Sequence, residues 1–166
     1  MFLTLYAHPF AAYCWKVLIA LYENATPFDY RLVEDAATWA ELESLWPIKK
    51  FPLLKDGKAT IVESSIIVEY VMRHYPGAMR MIPANDDAGL QVRFMDRFFD
   101  HYVMTPMQTL VSDRMRMENE RDAKGVGDAR KMLDVAYGWL EQQVTQEQWL
   151  CGCTFFSFHP YWLRKN

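Results

Sequence analysis

Cysteine is scarce in this chain. Cys14, Cys151 and Cys153 are the only three among 166 residues, an odd and sparse set that argues against a secreted disulfide framework and suits a reducing cytoplasm. No Cys-x-x-Cys occurs, which disfavours a dithiol oxidoreductase. Cys151-Gly152-Cys153 has neither the spacing nor the second ligand pair of a zinc site, so no metal is expected. Basic residues form no run, and 18 Lys and Arg stand against 21 Asp and Glu for a net charge of −3, so nucleic acid is not expected as a partner. No apolar stretch approaches the roughly 20 residues needed to cross a bilayer. The start, Met1-Phe2-Leu3-Thr4-Leu5-Tyr6, lacks the basic opening of a signal peptide and soon meets His8-Pro9. Neither a membrane nor export is expected, and the chain is placed in the cytoplasm.

What is present is enough apolar material for a core: 51% of the residues are hydrophobic and 15% aromatic. Residues 2–6 read as a short buried strand. Cys14, Val17, Leu18 and Leu21 recur at helical spacing within 10–24, and Phe28, Tyr30 and Leu32 alternate with polar residues as a strand does. Strand, helix, strand over this length is a βαβ unit, which implies two parallel strands joined by a crossover helix. Residues 35–46 are helix-prone, with Trp39, Leu42 and Leu45 on one side. The stretch Lys50-Phe51-Pro52-Leu53-Leu54-Lys55-Asp56-Gly57 then predicts a hairpin, with strands over 52–54 and 59–62 turning through Asp56-Gly57. Pro52 belongs at the first position of its strand or on an edge, because it has no N–H to give to the ladder. Ser64 and Ser65 are placed to cap a helix over 64–75 along which Ile67, Tyr70, Val71 and His74 share a face, and such a helix start is a ready anion site. Pro76-Gly77 stops it.

Strand signals vanish after that point. Residues 79–87 read as a linker, 90–117 as a long amphipathic helix in which Arg93, Asp96, Arg97 and Asp100 offer ion pairs, 119–127 as a polar turn, and 128–143 as a helix with Leu133, Ala136, Tyr137 and Leu140 facing inward. The expected organisation is an α/β domain over 1–78, of order βαβ-α-ββα, and an all-α domain over 88–166.

The first domain resembles the thioredoxin-like N-terminal domain of the glutathione S-transferase superfamily. The resemblance covers roughly residues 2–78. It rests on Leu5-Tyr6 at the end of the first strand, Lys16-Val17-Leu18-Ile19-Ala20-Leu21 in the first helix, Phe51-Pro52-Leu53-Leu54, Asp56-Gly57, and Glu63-Ser64 with Ile67 and Tyr70 beyond. The helical half, including Trp149-Leu150 and Gly152, resembles the family's C-terminal domain more loosely. The resemblance implies glutathione as co-substrate and a small apolar electrophile as second substrate, in a homodimer. It implies a cis Phe51–Pro52 bond exposing the Phe51 backbone to pair with the cysteinyl part of the peptide. It places Glu63 on the γ-glutamyl ammonium, Ser64 and the helix start on its α-carboxylate, and Lys50 on the glycine carboxylate. Taken singly, Pro52 as a strand opener, Ser64 as a cap and Lys50 as a solvated lysine are the commoner roles; the joint spacing favours the site.

Transferases of this kind lower the pKa of the glutathione thiol, since the thiolate is the nucleophile. The usual Ser or Cys is missing here. His8 stands where a Cys-Pro-Phe member carries its cysteine, and Ala11 and Ala12 stand where other members carry a serine. Three substitutes are open. Tyr6 matches the tyrosine of Tyr-type members. His8 can stabilise a thiolate as imidazolium or remove its proton as imidazole. The N–H groups of Ala11 and Ala12 can act through the helix dipole. Cys14, on the apolar face of its helix, reads as core. Met104, Met107 and Leu110 of the second domain are the residues an apolar electrophile is expected to touch, although a methionine stripe is more often core.

The C-terminal end departs from the family. Gly152-Cys153-Thr154-Phe155 keeps the start of the family's Gly-Asp-x-Phe capping pattern, and Phe156-Ser157-Phe158-His159-Pro160-Tyr161-Trp162 replaces the rest. We expect an aberrant tail from about residue 153, as a shifted reading frame would produce, a C-terminal domain truncated relative to the family, and low solubility. Three outcomes remain open at this stage: a transferase of reduced activity, a non-catalytic glutathione-binding or regulatory module of the same fold, and an inactive truncated product.

Overall fold

A computed structural model of the chain describes residues 3–144. Two compact units divide it, Met1–Met81 and Ile82–Asn166. The expectations for Trp149, Leu150, Gly152 and the tail from about 153 lie outside the described residues.

The first unit is a four-stranded mixed sheet with three helices, in the order β1 (Leu3–Ala7), α1 (Ala12–Glu23), β2 (Phe28–Leu32), α2 (Ala36–Leu45), β3 (Leu53–Asp56), β4 (Ala59–Val62) and α3 (Ser64–His74). Spatially the strands run β2-β1-β3-β4. β1 pairs in parallel with β2, from Leu3 opposite Phe28 to Ala7 opposite Leu32. It is antiparallel to β3, with Leu5 opposite Leu54 and Tyr6 opposite Leu53. Leu3, Leu5, Tyr6 and Ala7 are all buried, the near-continuous apolar run that a central strand needs. β2 is the edge. Its alternation predicts one covered face, yet only Phe28 is partly covered and Tyr30 and Leu32 stay exposed.

α1 buries Cys14, Lys16, Val17, Leu18, Ala20 and Leu21. It ends in a Schellman motif: the Thr26 N–H donates to the Leu21 carbonyl at 2.9 Å, and the Ala25 N–H to the Tyr22 carbonyl at 3.0 Å. That geometry puts Ala25 at φ 49°, a left-handed conformation in which a Cβ is strained and glycine is not. We therefore expect Ala25→Gly to stabilise the protein by about 1 kcal/mol, read as a raised urea midpoint with an unchanged m-value. A lower midpoint would mean that the flexibility gained by the unfolded chain outweighs the relieved strain.

The hairpin lies where the sequence put it, with one correction. Asp56 pairs with Ala59, so the two loop residues are Gly57 and Lys58, and Asp56 closes the ladder. Gly57 alone has positive φ, at 57°, the pattern of a II′ turn, which asks for glycine at its first central position. Freed from the turn, the Asp56 carboxylate accepts the hydroxyls of Tyr75 at 2.7 Å and Tyr70 at 2.9 Å. These bonds tie the hairpin to α3. Tyr75 and Tyr70 hold the Asp56 carboxyl below its ordinary range. A depressed folded pKa gives stability that is full above the unfolded value of about 3.9 and is lost as pH falls through the folded one. Asp56→Asn is expected to lower the urea midpoint at pH 7, with the gap from wild type narrowing as pH falls below about 3.9. A gap independent of pH would remove the charge from this account.

The start of α3 needs a second correction. Ser64 and Ser65 do not cap the helix; they are its first two residues and are buried. The capping position belongs to Glu63, whose side chain makes no cap bond and whose backbone stands at φ 67°, ψ 117°.

The second unit is helical: α4 (Asp86–Phe98), a π-helical segment (Phe99–Met104), α5 (Thr105–Met115), a 3₁₀ turn (Glu118–Glu120) and α6 (Ala123–Val144). The long helix expected over 90–117 is thus interrupted. Pro106 has no N–H for the carbonyl four residues back; the π segment absorbs the mismatch, and the Thr105 hydroxyl donates to the Asp100 carbonyl at 2.9 Å. α4 starts inside the expected linker because Asn85 caps it, accepting from the Ala88 N–H at 3.0 Å. α6 starts earlier than expected for the same kind of reason, with the Asp122 carboxylate accepting from the Gly125 N–H at 2.9 Å. The core of this unit gathers Met95, Phe98, Phe99, Val103, Leu133, Ala136 and Leu140. Tyr137, expected to face inward, is exposed.

Candidate functional site

The sheet register decides which of the expected site residues meet. Tyr6 lies opposite Leu53, and Leu53 opposite Val62. The chain leaving β1 at His8, the chain entering β3 from Phe51-Pro52 and the chain leaving β4 at Glu63-Ser64 therefore emerge at one end of the sheet. Three segments converge there, the first more than forty residues before the other two in sequence.

The Phe51–Pro52 bond is cis. Pro52 is buried and Phe51 half-buried, its ring 6.0 Å from that of His8 and nearly parallel to it, and 5.6 Å from that of Trp39. The His8 Nδ1 accepts the Phe10 N–H at 3.2 Å, so in the neutral ring the proton belongs on Nε2, a tautomer assigned from this bond. The loop is fixed at its other end by the Trp15 Nε1–H, which donates to the Pro9 carbonyl at 2.8 Å.

At the opposite wall, α3 presents its first N–H groups, which have no carbonyl partner within the helix. The left-handed φ of Glu63 is a conformation costing a non-glycine residue about 1–3 kcal/mol, and such strain gathers at ligand sites. Glu63 is exposed. The two serines behind it differ. Ser65 Oγ accepts from the Lys16 ammonium at 3.0 Å, whereas the Ser64 hydroxyl has no hydrogen-bond partner among the described residues. Lys16 is buried within the apolar face of α1 and brings a positive charge beneath the start of α3. Sequence reasoning passed over it; a lone lysine between Cys14, Val17 and Leu18 was the available signal. Lys50 is exposed, beside Lys49, which pairs with Glu43 at 2.6 Å.

Two of the three candidates for thiol activation change standing. Tyr6 is 3% exposed, its hydroxyl donates to Glu41 Oε1 at 2.7 Å, and Glu41 is in turn held by Arg31 at 2.9 Å. Burial, reinforced by the Glu41 bond, pushes Tyr6 up to about 12. Its ring belongs to a core with Val33, Leu42 and Leu53, and its proton is committed away from the site. The Ala11 N–H, expected free at the helix start, donates to the His8 carbonyl at 3.0 Å, which leaves Ala12 with the first uncommitted N–H. His8 stands at the site with a free Nε2–H. Cys14 is fully buried, and burial pushes its thiol up to about 11, as its reading as core requires.

In the second unit Met104 is buried and Met107 exposed, and Leu110 packs on the helical core. Among the described residues no three His, Cys, Asp or Glu side chains gather as metal ligands, and no helix is long and apolar enough to cross a membrane.

A four-stranded β2-β1-β3-β4 sheet, with a cis-proline, a loop histidine and a helix start at one end and a helical unit after it, defines the class: a thioredoxin-like domain followed by an all-α domain. Residues 5–79 match the family described as glutathione S-transferase, N-terminal domain. Glutathione S-transferase U10 of Arabidopsis thaliana is 32% identical over 127 residues, covering 75% of this chain and 53% of the relative; the chain spans about half the length of that protein. A glutathione S-transferase from Methylobacterium radiotolerans, solved in complex with glutathione sulfonate, superposes with a TM-score of 0.80 at 23% identity, covering 95% of this chain and 74% of its own. One from Methylobacillus flagellatus, with glutathione bound, gives 0.79 at 21%, covering 94% and 76%. The chain belongs to the glutathione S-transferase superfamily.

Proposed function

We propose that the chain binds glutathione at this end of the sheet and conjugates its thiol to small apolar electrophiles. The observation that carries the reading is the convergence of the His8 loop, the cis Phe51–Pro52 segment and the strained Glu63-Ser64 helix start. In this reading the Phe51 backbone pairs with the cysteinyl residue like an added strand. The γ-glutamyl carboxylate sits on the Ser64 hydroxyl and the first N–H groups of α3, with Lys16 behind them. Glu63 takes the γ-glutamyl ammonium, and Lys50 the glycine carboxylate.

His8 is the group that acts on sulfur. Because Nδ1 is occupied by the Phe10 N–H, the ring meets the ligand with a donor, and its role is to stabilise the thiolate by an Nε2–H···S⁻ bond. The ionising proton goes to solvent. With a chloronitrobenzene as electrophile, the thiolate forms the C–S bond at the ring carbon and chloride leaves with the electron pair of the broken C–Cl bond.

A second reading, a non-catalytic glutathione-binding module, draws on the absence of a hydroxyl at Ala11 and Ala12 and on the commitment of Tyr6 to Glu41; the fold alone does not decide between them. Retention on immobilised glutathione followed by a conjugation assay separates the two. Retention with turnover supports the enzyme, retention alone supports the module, and no retention overturns both.

A further inference from the structure

Asn24 closes α1 and does more than cap it. Its side-chain Oδ1 accepts the Met79 N–H at 3.0 Å, which fixes the amide, since the flipped rotamer would face one donor with another. The Nδ2 group is then buried without a hydrogen-bond partner among the described residues, in a residue only 9% exposed. Buried amide donors are nearly always paired, so an orphan of this kind asks for an acceptor. The amide lines a pocket of about 280 Å³ together with Met72, Pro76, Gly77, Met79 and Arg80. Glycine is required at 77, where a Cβ would stand 2.5 Å from the Asn24 side chain.

The pocket lies far from the candidate glutathione site. α1 and α3 run side by side, touching at Lys16 and Ser65 near their starts. Asn24 and Gly77 meet just past their ends. Nearly the whole length of both helices separates the two places.

We propose that this pocket binds a small organic carboxylate. Asn24 Nδ2 donates to a carboxylate oxygen, the Arg80 guanidinium supplies the opposite charge, and Met72, Pro76 and Met79 cover a short apolar body. A cation finds no carboxylate in the lining, and the one side-chain oxygen, Asn24 Oδ1, already accepts the Met79 N–H. Helix C-termini ordinarily repel anions. Here the Ala20, Leu21 and Tyr22 carbonyls in the last turn of α1 accept the N–H groups of Asn24, Thr26 and Ala25, which mutes that repulsion, and Arg80 is the one charged residue of the lining. The volume sits at the small end of ligand pockets and suits a body no larger than one ring.

The test is an ¹⁵N-resolved NMR titration of the full chain with benzoate, benzamide and inorganic phosphate, each with glutathione present in excess. The Asn24 side-chain amide signals, assigned by their loss in Asn24→Asp, are expected to shift with benzoate at a Kd of roughly 1 mM or tighter for a ligand of this size. Benzamide and phosphate should bind at least about tenfold more weakly, one lacking the charge and the other the apolar body. Asn24→Asp keeps the bond from Met79 but turns the orphan donor into an acceptor, and should abolish the backbone shifts at Met79. Arg80→Gln, at an exposed position, should weaken benzoate about tenfold, the scale of one charge-assisted contact. Equal binding of benzamide or of phosphate overturns the carboxylate assignment. The absence of shifts at high benzoate overturns the site altogether and leaves water as the acceptor for Nδ2. Glutathione retention is measured separately, so the loss of one reading does not carry the other with it.

Discussion

Replacement of His8 by alanine is expected to raise the pKa of the bound glutathione thiol by about one to two units and to slow conjugation at neutral pH by roughly 10- to 100-fold, the range that follows from about 1.5–3 kcal/mol for a hydrogen bond to a charged group at 1.36 kcal/mol per unit. Affinity for glutathione should change little, because the proposed contacts to the peptide lie on other residues. The role is specified by geometry. A histidine acting as general base needs an open ring nitrogen lone pair, and the Nδ1 lone pair is spent on the Phe10 N–H, while Nε2 carries the proton. His8→Gln places an amide donor near the position of Nε2 and should recover most of the thiolate band seen in the ultraviolet. A base could not be replaced in this way, since a carboxamide takes no proton at neutral pH. Recovery by glutamine supports the donor. Full loss in both variants points to a base. Undiminished turnover in His8→Ala would move the activation to the uncommitted N–H of Ala12 and the helix dipole.

The elements of the first unit were legible because several local signals agree at each of them. Pro52, an apolar pair and Asp56-Gly57 mark the hairpin, and Pro76-Gly77 marks the end of α3. The misreadings have a common cause: groups far apart in the chain decide between locally similar options. A serine caps a helix better than a glutamate does, so the sequence points to Ser64 and Ser65 as the cap. In the fold the cap falls to Glu63, in a backbone conformation that no propensity would favour, while Ser64 and Ser65 turn inward, Ser65 toward a lysine 49 positions earlier. Tyr6 ends its strand as expected, but its hydroxyl is engaged by Glu41, 35 residues away, which accepts its hydrogen bond. Which of several plausible activators stands free depends on such partners, and spacing along the chain does not reveal them. The break between α4 and α5 is different: its signal is local, a proline at 106 inside a long amphipathic pattern, and the sequence reading did not use it.

Ser64→Ala is expected to weaken glutathione binding by roughly 10- to 100-fold, the loss of one hydrogen bond to a carboxylate at about 1.5–3 kcal/mol, with little change in stability. The contrast with its neighbour makes the result informative. Both serines lie in the first turn of α3 and both are buried, so a purely structural role predicts similar costs. Ser65 Oγ is committed to the Lys16 ammonium, and its removal takes an acceptor from a buried cation, which lowers stability. Ser64 Oγ has no protein partner among the described residues, so its removal strands nothing in the free protein. Its cost appears only with ligand bound. Calorimetric titration with glutathione and urea unfolding of both variants separate the cases: Ser64→Ala should lose affinity at constant midpoint, and Ser65→Ala should lose midpoint first. The Lys16 charge remains under the helix start in Ser64→Ala, so residual binding should persist and weaken further with salt, as an exposed carboxylate held by charge alone does. If Ser64→Ala binds glutathione as tightly as the wild type, the γ-glutamyl carboxylate does not sit at the start of α3, and that wall of the proposed site is lost.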